Sequence, residues 1–277
     1  MSEQVWLVTG SSRGLGRDVV EAALSAGHKV VATARRTEAL EALRATYGDQ
    51  VMTLPLDVTD PAQAESVIAT TIEAFGRLDV VVNNAGYADI APIENTDLGS
   101  FHAQVDAVFY GTVHVTRAAL PVFRRQGSGL FIQVTSVGGR LTAPGLGAYQ
   151  AAKFAVEGFS SVLHQEVSPL GIRVVLAEPG SMRTDWAGDS MKVAAFDPSY
   201  DATVGAMARR TRESSGNQPI DPTAVARVFV EIAQHPSPPL HLLLGSDAVD
   251  YMATSLAATA AEDRQWASVG RSVDFEA

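Results

Sequence analysis

Three side chains in this sequence have types and spacing that suit proton chemistry: Ser136, Tyr149 and Lys153. Tyr149 and Lys153 lie four residues apart in a segment with a helical pattern, so both project from one helix face. Ser136 directly follows an apolar run that resembles a strand. The three groups are therefore predicted to meet where a strand ends and a helix begins.

A phenol, an ammonium and a hydroxyl together can move a proton to or from a substrate oxygen. Free tyrosine has a pKa near 10 and is a poor acid–base group at neutral pH. A nearby ammonium favours the phenolate, so we expect Lys153 to lower the pKa of Tyr149. Ser136 is expected to hydrogen-bond the substrate oxygen and hold its position. Such a set suits reduction of a carbonyl or oxidation of the matching alcohol.

Residues 9–16 read T-G-S-S-R-G-L-G, between an apolar run and a helical pattern. Glycine there permits a tight strand-to-helix turn and lets a pyrophosphate approach the helix N-terminus. The spacing differs from the common G-x-G-x-x-G, and a simple turn is the alternative interpretation. The predicted cofactor contacts in this turn are Gly10, Ser12, Arg13, Gly14, Leu15 and Gly16.

The end of the second predicted strand indicates which nucleotide binds. An acidic residue there would hold the ribose 2′-hydroxyl of NAD, but Ala34 is followed by Arg35 and Arg36. Together with Arg13, these guanidinium groups suit a 2′-phosphate. The sequence therefore favours NADP(H) over NAD(H).

Further cofactor contacts are predicted at two other strand ends, because ligands of open parallel sheets bind beyond the carboxyl ends of the strands. One is Asp57 with Val58, expected to border the adenine. The other is Asn84, Ala85 and Gly86. An ordinary Asx turn is the alternative interpretation of the asparagines.

These residues are positioned by alternating strand and helix patterns, which predict an α/β fold: a single-domain, doubly wound parallel sheet of Rossmann type, with helices on both faces. About seven strands are expected, at 5–8, 29–33, 51–56, 78–83, 130–135, 172–177 and 241–244. Helices are expected at 14–26, 40–47, 62–75, 97–123, 149–168, 223–234 and 247–268. The whole chain 1–277 is read as one domain. Residues 184–222 lack periodicity and are predicted to form a substrate lid, with a functionless surface insertion as the alternative.

Composition excludes several classes of function. The formal net charge of −10 disfavours nucleic acid and anionic membranes as partners. The chain has no cysteine, and no apolar stretch long enough for a membrane span, so a cytoplasmic location is expected. The six histidines show no metal-ligand spacing, so no metal site is predicted.

Taken together, these motifs resemble the short-chain dehydrogenase/reductase family over nearly the whole chain. The resemblance also includes a Pro-Gly pair followed by a threonine, at Pro179, Gly180 and Thr184. The resemblance implies Tyr149 as acid/base, Lys153 as its modulator and ribose clamp, and Ser136 as substrate orienter. It also implies Thr184 near the nicotinamide carboxamide, and homodimers or homotetramers formed through helices 97–123 and 149–168.

One position departs from the family, because Val108 stands where an Asn normally supports a proton relay from the lysine through water. In one interpretation the Val108 carbonyl still holds the water and activity survives. In the other, the protein is a weak or silent NADP(H)-binding sensor. A sugar-nucleotide epimerase on the same fold is a further alternative, which the length and glycine spacing disfavour.

The substrate is expected to be a ketone or aldehyde of moderate size and mostly apolar character. The predicted pocket residues are Tyr87, Leu141, Pro144, Leu146, Trp186 and Met191. This prediction depends on their places after strand ends.

Overall fold

The computed structural model describes residues 3–184, 186 and 191–275. Seven strands form one parallel sheet in the order β3-β2-β1-β4-β5-β6-β7. Their bounds are β1 Val5–Val8, β2 Lys29–Ala34, β3 Val51–Pro55, β4 Val80–Asn83, β5 Gly129–Val134, β6 Ile172–Pro179 and β7 His241–Leu244. The predicted fold class and strand number are confirmed, with strand ends shifted by one or two residues.

Two apolar layers enclose the sheet, and β1 shows how the sequence builds them. Trp6 and Val8 face one layer, whereas Val5 and Leu7 face the other. Successive strand side chains alternate between faces, so a strand covered on both sides must be apolar throughout. All four β1 residues are accordingly buried.

Helices α1 Gly14–Ser25, α2 Glu41–Tyr47 and α8 Pro222–Gln234 cover the first face. Helices α3 Pro61–Phe75, α5 Gly111–Gln126 and α6 Gly147–Val167 cover the second face.

The ends of these helices are set by capping residues, as α3 shows. Asp60 caps α3 by accepting the Ala62 backbone N–H at 2.9 Å, and the left-handed Gly76 ends it.

The predicted helix 97–123 is present as an unbroken helical run over residues 98–126, but it is not α-helical throughout. Helix α4 Leu98–Val105 passes into a π-helical turn, Asp106–Tyr110, before α5 begins. The wider turn inserts a residue into the helix without interrupting its apolar pattern, so periodicity did not reveal it. Val108 lies in this turn.

The segment 184–222 contains a helix that the sequence pattern did not predict, α7 Ala206–Ser214. Its exposed face is rich in Arg and its buried face is narrow, so the apolar period is weak. Residues 185 and 187–190 of the predicted lid lie outside the described residues. The C-terminal helix α9, Ser246–Arg271, is longer than predicted, and only Ala248 and Met252 in it are buried.

Across the described residues, none of the helices combines the length and apolarity needed to traverse a bilayer.

Candidate active site

The carboxyl ends of β1 and β4 are joined by Thr9 and Asn84. The Thr9 hydroxyl accepts the backbone N–H groups of Asn84 at 3.0 Å and Ala85 at 3.1 Å. In return, the Asn84 side-chain amide donates to the carbonyls of Thr9 at 2.9 Å and Gly10 at 3.2 Å. Asn84 therefore acts here as a brace that shapes the turn after β1.

Gly16 lies where this brace leaves no room for a side chain. A Cβ at Gly16 would come within 2.4 Å of both the Gly10 carbonyl oxygen and the Asn84 amide nitrogen. Helix α1 begins at Gly14, and its N-cap residue Arg13 makes no side-chain capping hydrogen bond. The backbone N–H groups of the first turn thus remain available to a phosphate.

Two other predicted residues of the turn differ in exposure. Leu15 is a core residue packed with Trp6, so only its backbone is available to a cofactor. Ser12 is half-buried.

The arginines around this turn carry charge that the protein itself does not neutralise. Arg13, Arg35 and Arg36 are exposed, and none takes part in an ion pair among the described residues. Arg17, in contrast, pairs with Glu21 at 2.6 Å. The end of β2 is the buried Ala34. Positive charge without an acid at this strand end fits a nucleotide carrying a 2′-phosphate.

Asp57 and Val58 follow β3, and both have partners within the protein. The Asp57 carboxylate accepts the backbone N–H of Thr59 at 3.0 Å and its hydroxyl at 2.8 Å, which closes an Asx turn. The Val58 carbonyl lies 3.0 Å from Nδ1 of His114. Their predicted place beside the adenine stays a prediction.

The structure brings Ser136, Tyr149 and Lys153 together at the end of β5. The Ser136 hydroxyl accepts the Gly138 backbone N–H at 3.0 Å and lies 3.4 Å from the Pro179 carbonyl oxygen. The Ser136 hydroxyl is also near enough to the Tyr149 hydroxyl to influence the pKa of Tyr149. Lys153 donates from Nζ to the Val134 carbonyl at 2.6 Å, and its Nζ lies 5.7 Å from the Tyr149 ring centroid.

The electrostatics of this set correct one expectation. The pKa of Tyr149 is raised to about 12 because burial disfavours the phenolate, and the nearby Ser136 hydroxyl opposes the rise only in part. Lys153 was expected to lower this pKa, but burial dominates and the net shift is upward, while the ammonium itself donates to the Val134 carbonyl. Burial lowers the pKa of Lys153 itself to about 8. Tyr149 is therefore a buried, protonated phenol, and the amine of Lys153 next to it loses its proton more readily than a free lysine.

The loop after β6 crosses toward the glycine-rich turn. Gly180 donates its backbone N–H to the Leu244 carbonyl at 3.0 Å, which ties the loop to β7. Farther along, the Cβ of Thr184 lies 3.7 Å from where a Cβ at Gly14 would be. Thr184 thus lies against the glycine-rich turn.

The predicted pocket residues separate into two groups. Leu146, Trp186 and Met191 form an apolar cluster with Tyr149, and the Trp186 and Tyr149 ring centroids are 5.6 Å apart. Val204 and Ala208 join this cluster from the segment around α7, which the sequence pattern missed. Tyr87, Leu141 and Pro144 lie outside it. Pro144 instead lines a groove of about 360 Å³ between α6 and the loop before it, with Ile93, Gln150 and Phe154.

Val108 is a buried residue of the π-helical turn, 1% exposed. One of its methyl groups lies 3.3 Å from the position a Cβ at Gly86 would take. Its carbonyl accepts the Thr112 hydroxyl at 2.9 Å. An apolar side chain therefore fills the place where the family carries an amide.

A second polar group lies behind Lys153 and was missed by sequence reasoning: Arg140, Glu157, Glu178 and His241. Glu178 pairs with Arg140 at 2.9 Å and with Nδ1 of His241 at 2.6 Å. The only sequence signal was Glu157, which is four residues after Lys153 on the same helix. The other members come from separate strands and loops, which no local pattern connects.

Comparisons with known proteins agree with this geometry. A profile of the family described as short chain dehydrogenase matches residues 4–193. "Oxidoreductase BOA17" of Botryotinia fuckeliana is 48% identical over 264 residues, covering 95% of this chain and 96% of that protein.

Two solved structures share the architecture. The crystal structure of a short-chain dehydrogenase from Streptomyces avermitilis has a TM-score of 0.93 and 40% identity, covering 99% of this chain and 100% of that one. A closed form of serine dehydrogenase complexed with NADP+ has a TM-score of 0.75 and 26% identity, covering 87% and 94%. The chain therefore belongs to the short-chain dehydrogenase/reductase family of oxidoreductases.

Proposed function

We infer that this protein is an NADP(H)-dependent oxidoreductase that interconverts a ketone or aldehyde and the matching alcohol. The observation that carries this inference is the meeting of Ser136, Tyr149 and Lys153 at the end of β5, across the crevice from the glycine-rich turn. Carbonyl reduction needs a hydride at carbon and a proton at oxygen. The reduced nicotinamide supplies the hydride when bound, and the three side chains handle the proton.

Tyr149 is the acid/base in this proposal. Its burial keeps the phenol protonated and raises the pKa to about 12, so a proton is present for transfer to the substrate oxygen during reduction. Ser136, which lies beside Tyr149 at the end of β5, holds the same oxygen within reach. Lys153 supplies positive charge beneath the ring, which stabilises the phenolate once the proton has left.

The cofactor preference is proposed from charge. Arg13 and Arg35 are exposed beside the turn and have no carboxylate partner among the described residues, and Ala34 offers no acid to a ribose 2′-hydroxyl. A 2′-phosphate would be paired by these guanidinium groups. The NADP+ in the related serine dehydrogenase structure agrees with this preference. The proposed backbone contacts are those of the glycine-rich turn, residues 84–86 and the 179–184 loop.

The proposed substrate is mostly apolar, because Tyr149 shares its surroundings with Leu146, Trp186 and Met191. Trp186 and Met191 come from the 184–222 segment, which supports its proposed role as a lid. A homodimer or homotetramer is proposed as well. Apolar side chains remain exposed on α4 and α6, among them Leu98, Phe154 and Val162, and an unpaired apolar face favours self-association.

The decisive assay is NADPH oxidation over a panel of ketones and aldehydes, with wild type and Tyr149→Phe. Wild type is expected to turn over an apolar carbonyl, and the variant to lose at least about 100-fold in kcat while still binding NADPH, because only the transferable proton is removed. Wild type without turnover, or a variant equal to it, would contradict the proposal.

The alternative is a silent NADP(H)-binding protein, favoured by the apolar side chain at Val108. Val108→Asn tests it in the same assay. We expect little gain, whereas a gain of about 100-fold would show that the wild-type protein is catalytically impaired.

A further inference from the structure

Three side chains that can bind metals meet between helix α6 and the edge of the sheet: Glu157, Glu178 and His241. One ligand atom of each lies within 4.8 Å of the ligand atoms of the other two. The proposed oxidoreductase chemistry uses none of them. The two glutamates are 7% and 0% exposed, and buried carboxylates need a positive charge close to them.

The register of the sheet explains why these residues meet. His241 begins the edge strand β7 and lies opposite Leu176 in the parallel pairing with β6. Side chains two residues apart on a strand share a face, so Glu178 projects from the same face of the sheet as His241. Helix α6 covers that face and brings Glu157 to the same place. The cluster joins three separate elements, so no local spacing in the sequence predicted it.

Glu157 directs an unsatisfied oxygen into this cluster. Its Oε1 accepts the Thr135 hydroxyl at 2.5 Å. Its Oε2 has no hydrogen-bond partner and lies 3.5 Å from Nδ1 of His241. A buried carboxylate oxygen without a donor destabilises the fold, and a cation bound at this oxygen removes that destabilisation.

Both carboxylates are held from outside the cluster, so that one oxygen of each faces His241. Thr135 holds Oε1 of Glu157. Nη1 of Arg140 lies 2.9 Å from Oε2 of Glu178 and 3.3 Å from its Oε1. The inner oxygens lie 3.5 Å from Nδ1 of His241 for Glu157 and 2.6 Å for Glu178. Carboxylates that bind metals in proteins are typically oriented by such outer hydrogen bonds.

The ligand types and their spacing suit a tetrahedral zinc ion. Zn²⁺ binds imidazole and carboxylate at about 2.0–2.2 Å, which places neighbouring ligand atoms roughly 3.3–3.6 Å apart. The 3.5 Å between Glu157 and His241 already has this value. The 2.6 Å between His241 and Glu178 is a hydrogen-bond distance, so these two atoms must separate by about 1 Å when Zn²⁺ replaces the proton between them.

The surroundings of the cluster allow an ion to enter and limit how tightly it binds. The His241 side chain is 40% exposed, which opens the cluster to solvent and leaves the fourth zinc position to water. Two cations face the cluster: Arg140 beside Glu178, and Lys153, one turn before Glu157 on α6. Their charge opposes a metal ion, so the affinity is expected to be lower than that of a zinc site without neighbouring cations.

We propose that Glu157, Glu178 and His241 form a binding site for a divalent transition metal ion, and that Zn²⁺ fits it best. The bound ion joins α6, β6 and the short edge strand β7. Because the three ligands meet only in the folded chain, binding raises the free energy of unfolding. The proposal does not depend on the proposed cofactor chemistry, so carbonyl turnover can fail while the metal site stands, and the reverse.

The test is a calorimetric titration of the full-length protein with Zn²⁺, without an affinity tag and after treatment with EDTA. We expect one Zn²⁺ per chain and no binding of Mg²⁺ at the same concentration, because Mg²⁺ prefers an octahedral set of oxygen ligands. His241→Ala is expected to weaken Zn²⁺ binding by at least about 100-fold. His102→Ala is the matched control, because His102 is an exposed histidine on α4; it should bind Zn²⁺ as wild type does.

Two further variants separate the ligand from the residue that orients it. Glu157→Gln removes the charge of one ligand at nearly constant shape and should also weaken Zn²⁺ binding by at least about 100-fold, whereas Thr135→Val removes only the outer hydrogen bond and should weaken it about tenfold. Glu166→Gln, at an exposed glutamate on the same helix, should bind as wild type does. Equal binding by wild type and Glu157→Gln would place the ion elsewhere on the surface.

Thermal unfolding gives a second readout that needs no turnover. Zn²⁺ should raise the Tm of wild type and of His102→Ala by a few degrees, and should leave the Tm of His241→Ala unchanged. His241→Ala also covers the case in which Glu157→Gln does not fold, since His241 lies half-exposed at the sheet edge. Wild type that binds no Zn²⁺, or an equal Tm shift in wild type and His241→Ala, overturns the proposal and leaves the cluster as an ion network balanced by Arg140.

Discussion

The turn between β1 and α1 and the first two turns of α6 carry the two parts of the proposed site, and they depend on different physical properties. The turn works through backbone shape: Gly16 must lack a Cβ, and Asn84 holds the loop by hydrogen bonds. Helix α6 works through buried charge, because Tyr149 and Lys153 are 8% and 5% exposed. Substitutions in the turn should therefore change mainly cofactor binding, whereas substitutions in α6 should change rate and pH dependence more than cofactor binding.

Lys153→Met removes the buried ammonium at nearly constant length and is expected to have the largest effect. We predict a fall in kcat of about 1,000-fold, because the Tyr149 phenolate loses its counter-charge. Steady-state kinetics with NADPH measure it. Lys192→Met, at an exposed lysine, should match wild type. A loss in NADPH affinity as large as the loss in kcat would contradict the division between rate and binding.

Gly16→Ala places a Cβ within 2.4 Å of the Gly10 carbonyl and the Asn84 amide. The turn must shift, and we expect the Kd for NADPH to rise by more than about 100-fold, or about 2.7 kcal/mol. Fluorescence titration gives this Kd. Gly158→Ala is the control, because Gly158 lies in a helix with open space around its Cβ position. Tight NADPH binding by Gly16→Ala would show that backbone shape is not limiting.

Arg35→Ala tests whether positive charge beside the glycine-rich turn contributes to cofactor binding, in a region where backbone shape is expected to matter most. We expect the Kd for NADPH to rise about tenfold and that for NADH to stay unchanged, because only the 2′-phosphate is affected. Arg44→Ala, on α2, serves as the control. An equal loss for both cofactors would assign Arg35 to the fold and not to phosphate recognition.

Asp18→Asn is expected to have the smallest effect, and it concerns stability. Burial, Glu21 and Asp221 raise the pKa of Asp18 to about 6. A carboxyl group with a raised pKa stabilises the fold when protonated, and this contribution is lost as pH rises from about 4 through 6.

We therefore predict that Asp18→Asn unfolds at higher denaturant concentration than wild type at pH 7.5, by about 1 kcal/mol after allowance for solvent screening. The difference should vanish near pH 4. Urea unfolding at both pH values measures it, with Asp49→Asn as an exposed control. A stabilisation that is equal at pH 4 and pH 7.5 would exclude ionisation as its cause.

Much of the fold followed from local pattern. Continuously apolar strands such as β1 must be covered on both faces. Because strands and helices alternate along the chain, the pattern predicts a parallel sheet. The placement of Ser136, Tyr149 and Lys153 followed for the same reason, because strand ends and helix starts meet at one edge of such a sheet. Helix α7 and the π-helical turn at Val108 did not follow, since neither changes the apolar period enough to be recognised.

The sequence by itself determined the family, the sheet and the identity of the side chains in the crevice, because these depend on short-range spacing. Only the tertiary structure decided what surrounds those side chains. Burial, not Lys153, sets the direction of the Tyr149 pKa shift. Glu157, Glu178 and His241 meet behind Lys153 although they lie far apart along the chain. Desolvation and contacts between distant segments depend on how the helices pack on the sheet. They therefore cannot be predicted from the spacing of residues along the chain.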